Sequence, residues 1–340
     1  MPLLQRFFLG FLLGLGSILA LFIALFYRQL GAPTESSRWC YEINAQKRHQ
    51  AEAIPSPRLL LVGGSSTLFG LSARQIREQT GYPTVNLGTH AGLGAQYILS
   101  LAQTIAKSGD TILLGFEYEL YDYPAAVTVK GWSDSLFLDY VFARDPAFFR
   151  RLPLSRRWSF GMLLSYERLQ EGLRSRRHAP RRVESVIYNV TNLNAFGDQV
   201  GHPAANRPPG SPYRDQCSAP LARGLSAQPQ GFCDLRLFIQ WAKQNKIRVL
   251  ATFPSISHRS EYDLAPAQQT GRDLQRFFES EGVQVLGDAR EAMLPPDQFF
   301  DTMYHPTDDG QQERTRRLLV HLAPLLPSYS AHSQALARTH

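Results

Sequence analysis

The sequence predicts an α/β fold, a parallel sheet covered by helices on both faces, behind one N-terminal apolar helix. Three observations predict it. Short apolar runs that end in turn residues alternate with helix-spaced segments, the order that builds parallel sheets. Residues 7–27 (FFLGFLLGLGSILALFIALFY) carry no charge over 21 positions and lie between Arg6 and Arg28, and about 20 apolar residues span a hydrocarbon core. The chain is 44% hydrophobic and 19% charged, a globular composition rather than a disordered one.

Element by element, residues 58–62 (RLLLV) read as a buried parallel strand running into Gly63-Gly64. Residues 68–80 have helical spacing and stop at Gly81. A second strand follows at 83–87, a helix at 94–108, and a third strand at 111–116 (TILLGF). A long insert, about 120–230, holds helix-like segments at 133–151 and 158–177, then a Pro/Gly-rich stretch at 196–231 that reads as loop. The alternation resumes with a helix at 235–245, a strand at 248–253, a helix at 266–281, a strand at 283–286 and a last helix at 307–322. The resulting plan is a tail at 1–6, an anchor at 7–27, a polar linker at 28–56, an α/β domain at 57–326 and a flexible tail at 327–340.

A cleaved signal peptide has a shorter apolar core and a small-residue exit. Here the exit reads YRQLGAP, so the span is read as an uncleaved anchor. Arg28, Arg38, Lys47 and Arg48 follow the span while Arg6 precedes it; charge alone does not send the C-terminal domain outward. The net charge of +7 gathers in Arg150, Arg151, Arg156 and Arg157, then Arg174, Arg176, Arg177, Arg181 and Arg182. Such a face suits anionic lipid, an acidic polymer or solvent near a membrane. With no zinc-finger or aromatic RNA-binding motif, nucleic acid is not the expected partner. Cys217 and Cys233 flank a short polar loop, the pattern of a disulfide in an oxidising compartment, with Cys40 left over. The cysteines lack ligand-spaced histidines, so no metal site is expected.

In parallel α/β sheets ligands bind beyond the carboxyl ends of the strands. Three segments put chemical groups there. VGGSSTLFG (62–70) takes a strand through two glycines into serine and then a helix; alone it fits a turn capped by Ser65 or Ser66 as well as an exposed nucleophile. VNLGTHAGLG (85–94) puts Gly88 at the second strand's end, with Asn86 and His90 beside it. FFDTMYHPTDDGQQERT (299–315) sets Asp301 and His305 just before the last helix, and a histidine oriented by a carboxylate can take a proton from serine. Weaker candidates are Glu117, which shares a strand face with Glu119, and His258, which follows the strand at 248–253. The Asn189-Val190-Thr191 sequon carries little information on its own.

Gly-x-Ser after strand one, Asn-Leu-Gly after strand two and Asp-x-x-x-His-Pro before the last helix, in that order, resemble the SGNH (GDSL) hydrolase superfamily. The nearer resemblance is to its membrane-anchored branch, the alginate-type polysaccharide O-acetylation proteins and DltD-like proteins. It covers about 57–118 and 234–324. It implies a three-layer flavodoxin-like fold, Ser65 as nucleophile by register with Gly63 and Gly70, His305 as base, and Asp301 as its orienting carboxylate. It further implies oxyanion donors at the Ser65 and Gly88 amides. By their positions in the sequence, Asn86 is a candidate for a further donor, and His258, His90 and Glu117 are weaker candidates near substrate. Two departures stand out. The Asp-to-His spacing is one residue longer than usual, and the third block's asparagine is replaced by Gly115-Phe116-Glu117. Losing one oxyanion donor costs about a hundred- to a thousandfold in rate.

The expected activity is therefore serine-dependent acyl transfer through an acyl-Ser65 intermediate without a cofactor. The expected substrate is an exported bacterial polysaccharide, and the partners are the membrane and an acyl donor or membrane-bound acyl-transfer protein. An esterase of the same fold, or a degenerate glycan-binding scaffold, is the alternative. The resemblance and the cysteine pair put the domain on the periplasmic side of a bacterial inner membrane.

Overall fold

The structure, a computed structural model, describes residues 3–123, 132–162, 166–176, 185–210 and 219–327. Cys217, Arg177, Arg181, Arg182 and the tail beyond residue 327 lie outside them. The chain divides into two compact units, one of residues 1–38 with 129–183, the other of residues 39–128 with 184–340.

The first unit opens with α1 (Leu3–Arg28), a helix apolar and long enough to cross a membrane. At 1.5 Å per residue its 26 residues reach about 39 Å. Its large apolar side chains are exposed along most of its length, with Phe22 half-buried and Phe26 buried. The segment read as a linker holds a second helix, α2 (Glu35–Glu52). The insert supplies α6 (Trp132–Arg144), α7 (Pro146–Arg151), α8 (Leu154–Met162) and α9 (Tyr166–Ser175). The predicted single helix at 133–151 breaks because Asp145 caps α7, accepting the Phe148 N–H at 2.9 Å, and Pro146 cannot continue α6. Phe26, Phe142, Phe149 and Phe160 form one buried aromatic cluster with ring centroids 4.6 to 6.1 Å apart.

The second unit holds the sheet. Its chain order is β1 (Leu59–Gly63), α3 (Ser65–Gly70), α4 (Ala73–Thr80), β2 (Thr84–Asn86), α5 (Ala95–Ile105), β3 (Thr111–Gly115), α10 (Gln230–Gln244), β4 (Arg248–Thr252), β5 (Ile256–Ser257), α11 (Ala265–Ser280), β6 (Gln284–Leu286), β7 (Met293–Leu294) and α12 (Asp308–Leu322). Five strands pair in parallel in the order β2-β1-β3-β4-β6, and β5 pairs with β7 in a small second sheet. All five predicted strands of the main sheet form within one or two residues of their expected ends. Leu59 and Leu61 pack with Leu113, Leu250, Ile76, Leu318 and Leu322 on the face covered by α4 and α12. Leu60 and Val62, also buried, point the other way by strand alternation.

The predicted helix at 68–80 is two helices. Ser72 caps α4 by accepting the Gln75 N–H, and Asp198 accepts the Ala73 and Arg74 N–H groups at 2.6 and 3.0 Å. Gly81 closes α4 in the left-handed region at φ 70°. At the amino ends of the strands, Arg58 and Asp110 form a fully buried ion pair at 3.2 Å, and Arg58 also donates to the Ile54 and Ile105 carbonyls.

Candidate active site

The chain leaves β1 toward β2 on one side and reaches β3 on the other, so the sheet changes winding direction between β1 and β3. A crevice opens at such a switch point, beyond the carboxyl ends of the strands. β1 ends there in Gly63-Gly64-Ser65, and β3 ends there in Gly115-Phe116-Glu117.

Both glycines are sterically required. A side chain on Gly63 would collide with the Thr67 hydroxyl and the Gly115 carbonyl, and one on Gly64 with both carboxyl oxygens of Glu117. Ser65 begins α3, and its hydroxyl donates to Glu117 Oε1 at 3.3 Å. The Ser66 N–H donates to the same oxygen at 2.7 Å, and Thr67 Oγ1 donates to the Gly115 carbonyl at 2.6 Å. Glu117 thus lies under the start of α3 rather than out on the rim. Its Oε2 is buried without a hydrogen-bond partner. Burial pushes the carboxyl up to about 7, against the hydrogen bond from the Ser66 N–H.

The second half of the site is the loop before α12. A bridge between Phe299 and Pro306, with the Phe300 N–H donating to the His305 carbonyl at 2.7 Å, closes the five residues Asp301–His305 into a tight loop. Their side chains meet: His305 Nδ1 and Asp301 Oδ1 are 2.7 Å apart. Tyr188 donates its hydroxyl to Asp301 Oδ2 and lies 3.4 Å from His305 Nδ1. Burial pushes the Asp301 carboxyl up, but hydrogen bonds from His305 and Tyr188 and the charge of His305 bring it below its ordinary value. Thr307 caps α12 through the Gly310 N–H, as its place in the sequence predicts.

His305 stacks on Phe69, with centroids 4.2 Å apart and planes at 11°. Phe69 lies four residues after Ser65, on the same face of α3, where side chains tilt toward the helix start. The stack therefore sets the imidazole beside the face that Ser65 begins. Among the described residues no hydrogen bond joins Ser65 to His305; the serine hydroxyl is turned to Glu117 instead. Catalytic hydrogen bonds are often long before substrate arrives.

Two of the expected oxyanion donors are already occupied. The Gly88 N–H donates to Asn86 Oδ1 at 2.8 Å, and Asn86 Nδ2 donates to the Thr67 and Leu71 carbonyls at 3.1 and 2.9 Å. Asn86 is a tie between β2 and α3, because its whole amide is spent there. The Gly88 carbonyl accepts from the buried Lys47 at 2.5 Å, and burial lowers that ammonium to about 7 while the charge of Asp198 opposes the shift. His90 accepts the Gly92 N–H on Nδ1 and meets Trp39 edge-on; burial, then the charge of His305, lowers it to about 4. His258 has an exposed side chain paired with Asp263 at 3.1 Å. Cys40 is buried and Cys233 is exposed, both as free thiols, so the expected Cys217–Cys233 disulfide is not seen. Among the described residues no cluster of His, Cys, Asp or Glu is arranged to hold a metal ion.

Sequence reasoning missed Tyr188, Trp39 and Phe69. Tyr188 lies in an insert without a recognisable pattern, and the aromatic pair Trp39–Tyr188, with centroids 5.0 Å apart, joins residues distant in the chain.

No protein-family model and no curated protein matches this sequence. Among solved structures the chain is similar to one described as a "putative platelet activating factor from Streptococcus pneumonia", at 12% identity and a TM-score of 0.40, over 83% of this chain and 92% of that one.

Proposed function

We propose that the chain is a membrane-anchored acyl-ester enzyme of the SGNH type. Numbered along the chain, the five strands of the main sheet run 2-1-3-4-5, the order of flavodoxin-like doubly wound sheets. The observation that carries most weight is the Asp301–His305 pair stacked on Phe69, one turn along α3 from Ser65. In the proposed reaction Ser65 Oγ attacks the carbonyl carbon of an acyl ester, its proton passes to His305 Nε2, and the leaving alcohol takes that proton as the acyl-serine forms. A sugar hydroxyl or water then repeats the sequence in reverse. Asp301 and Tyr188 hold the imidazole.

Glu117 takes the place of the missing asparagine. Its carboxyl accepts from the Ser66 N–H and the Ser65 hydroxyl and so holds the start of α3 beneath the nucleophile. Phe26 argues for a retained anchor, since cleavage after α1 would remove one ring of a buried four-ring cluster. A retained enzyme suits O-acyl transfer to a polysaccharide under export, with the domain on the outer face of a bacterial inner membrane.

A catalytically retired scaffold is the second reading, favoured by the Ser65 hydroxyl being bonded to Glu117 rather than His305. The test uses the full-length chain in detergent and a fluorophosphonate probe. Labelling of wild type that vanishes in Ser65→Ala supports the enzyme. Equal labelling of both sinks the nucleophile assignment, and an unlabelled wild type that still binds glycan supports the scaffold.

A further inference from the structure

The first unit presents a face that the proposed chemistry does not use. On α8, Phe160 packs on Phe26 at 6.0 Å, and Gly161 lies against the rings of both Phe26 and Phe22. Phe22 belongs to the uncharged stretch and precedes Arg28 by six residues, roughly 9 Å along the helix axis. An element touching α1 at that depth cannot stand clear of the bilayer that α1 crosses. The other insert helices meet the same exit point. Phe149 on α7 is 6.1 Å from Phe26, Gly172 on α9 lies beside the Gln29 side chain, and Arg176 donates to the Leu30 carbonyl at 3.0 Å.

The surface of these helices has the chemistry of a membrane interface. Leu154 and Trp158, four residues apart on α8, are 73% and 58% exposed and share one face. Exposed Arg150 and Arg151 precede them at the end of α7, and exposed Arg174 and Arg176 end the α9 segment. Apolar side chains flanked by arginine, with tryptophan at the boundary, mark helices that lie in a lipid interface.

We propose that α7 and α8 lie on the bilayer around the exit of α1, with Leu154 and Trp158 entering the headgroup region and Arg150, Arg151, Arg174 and Arg176 binding anionic phospholipid headgroups. This rests on α1 spanning the membrane and not on the chemistry of Ser65, so neither proposal falls with the other.

The test reconstitutes the full chain through α1 into phosphatidylcholine vesicles, with or without phosphatidylglycerol, using acyl chains brominated near the headgroup. The Trp158 signal is the difference between wild type and Trp158→Phe. Quenching of that signal, stronger with phosphatidylglycerol, is expected. In Arg150→Gln/Arg151→Gln the contact should weaken roughly fivefold per arginine removed. An unquenched Trp158 signal in both vesicles overturns the proposal and leaves the face to water or a protein partner. Quenching that ignores phosphatidylglycerol overturns the headgroup assignment.

Discussion

Glu117 concentrates the tension of the site in one side chain. Its Oε1 holds the Ser66 N–H and the Ser65 hydroxyl, while its Oε2 is buried with no partner. A charged carboxylate in that position is costly, which is why burial pushes it up to about 7. The consequence for stability has a definite sign. The folded state holds this proton more tightly than the unfolded chain, so the favourable contribution is complete below pH 4.5 and disappears as pH rises through about 7. Glu117→Gln keeps an acceptor for Ser66 and cannot ionise. Its melting temperature should therefore fall less than that of wild type between pH 4.5 and 7, measured by circular dichroism. Under the proposed function the same variant should retain acyl transfer at pH 8, where wild type declines. If the two proteins share one pH profile for stability, the carboxyl does not titrate in that window.

Among the elements, α1 and α3 show how a helix can be set by its two ends. α3 is short because Leu71 after it is extended and Ser72 starts a new helix under Asp198. α1 is apolar and exposed for most of its length, yet its last turn is part of a protein core through Phe26. Burying a phenylalanine and then truncating it to alanine costs about 3–5 kcal/mol. Phe26→Ala should therefore loosen α6, α7 and α8 without unfolding the sheet. Hydrogen exchange would show it: faster exchange confined to residues 132–162 is expected, and unchanged protection there would mean that the cluster does not hold the unit.

For the molecule as a whole, the sheet unit is keyed at its amino edge by Arg58 and Asp110, both without exposure to solvent. Removing one partner of such a pair strands the other charge and costs about 3–5 kcal/mol, out of the 5–15 kcal/mol that holds a typical domain. Asp110→Ala should thus lower the denaturant midpoint of the sheet unit sharply, followed through the fluorescence of Trp241. A midpoint within error of wild type would show that solvent or the neighbouring carbonyls compensate for the lost carboxylate.

Much of this architecture was legible along the chain. The strands at residues 59–63, 84–86, 111–115, 248–252 and 284–286 announce themselves as apolar runs between turn residues, because backbone alternation and burial act over a few neighbours. The start of α12 at Thr307 and the end of α4 at Gly81 are equally local, set by a hydroxyl cap and a left-handed glycine. That α1 is long and apolar enough to cross a membrane follows from a run of adjacent residues alone. Asp301 and His305 are close in sequence, so their pairing needs only a short closed loop.

Other features depended on residues far apart. Nothing near Leu71 says that Asp198, more than a hundred residues away, splits the predicted helix by capping α4. The glycine pair predicts a tight turn, but not that Gly64 makes room for the carboxyl that holds Ser65. Asn86 and Gly88 look like free donors in sequence, and the fold spends them on each other and on the α3 carbonyls. Tyr188 reaches Asp301 from an insert with no pattern of its own. Local pattern determined the strands, the caps and the long apolar helix, since these need only adjacent residues to agree. Tertiary structure decided which polar groups remain free for chemistry, because a donor or acceptor is free only after every distant neighbour has taken its share.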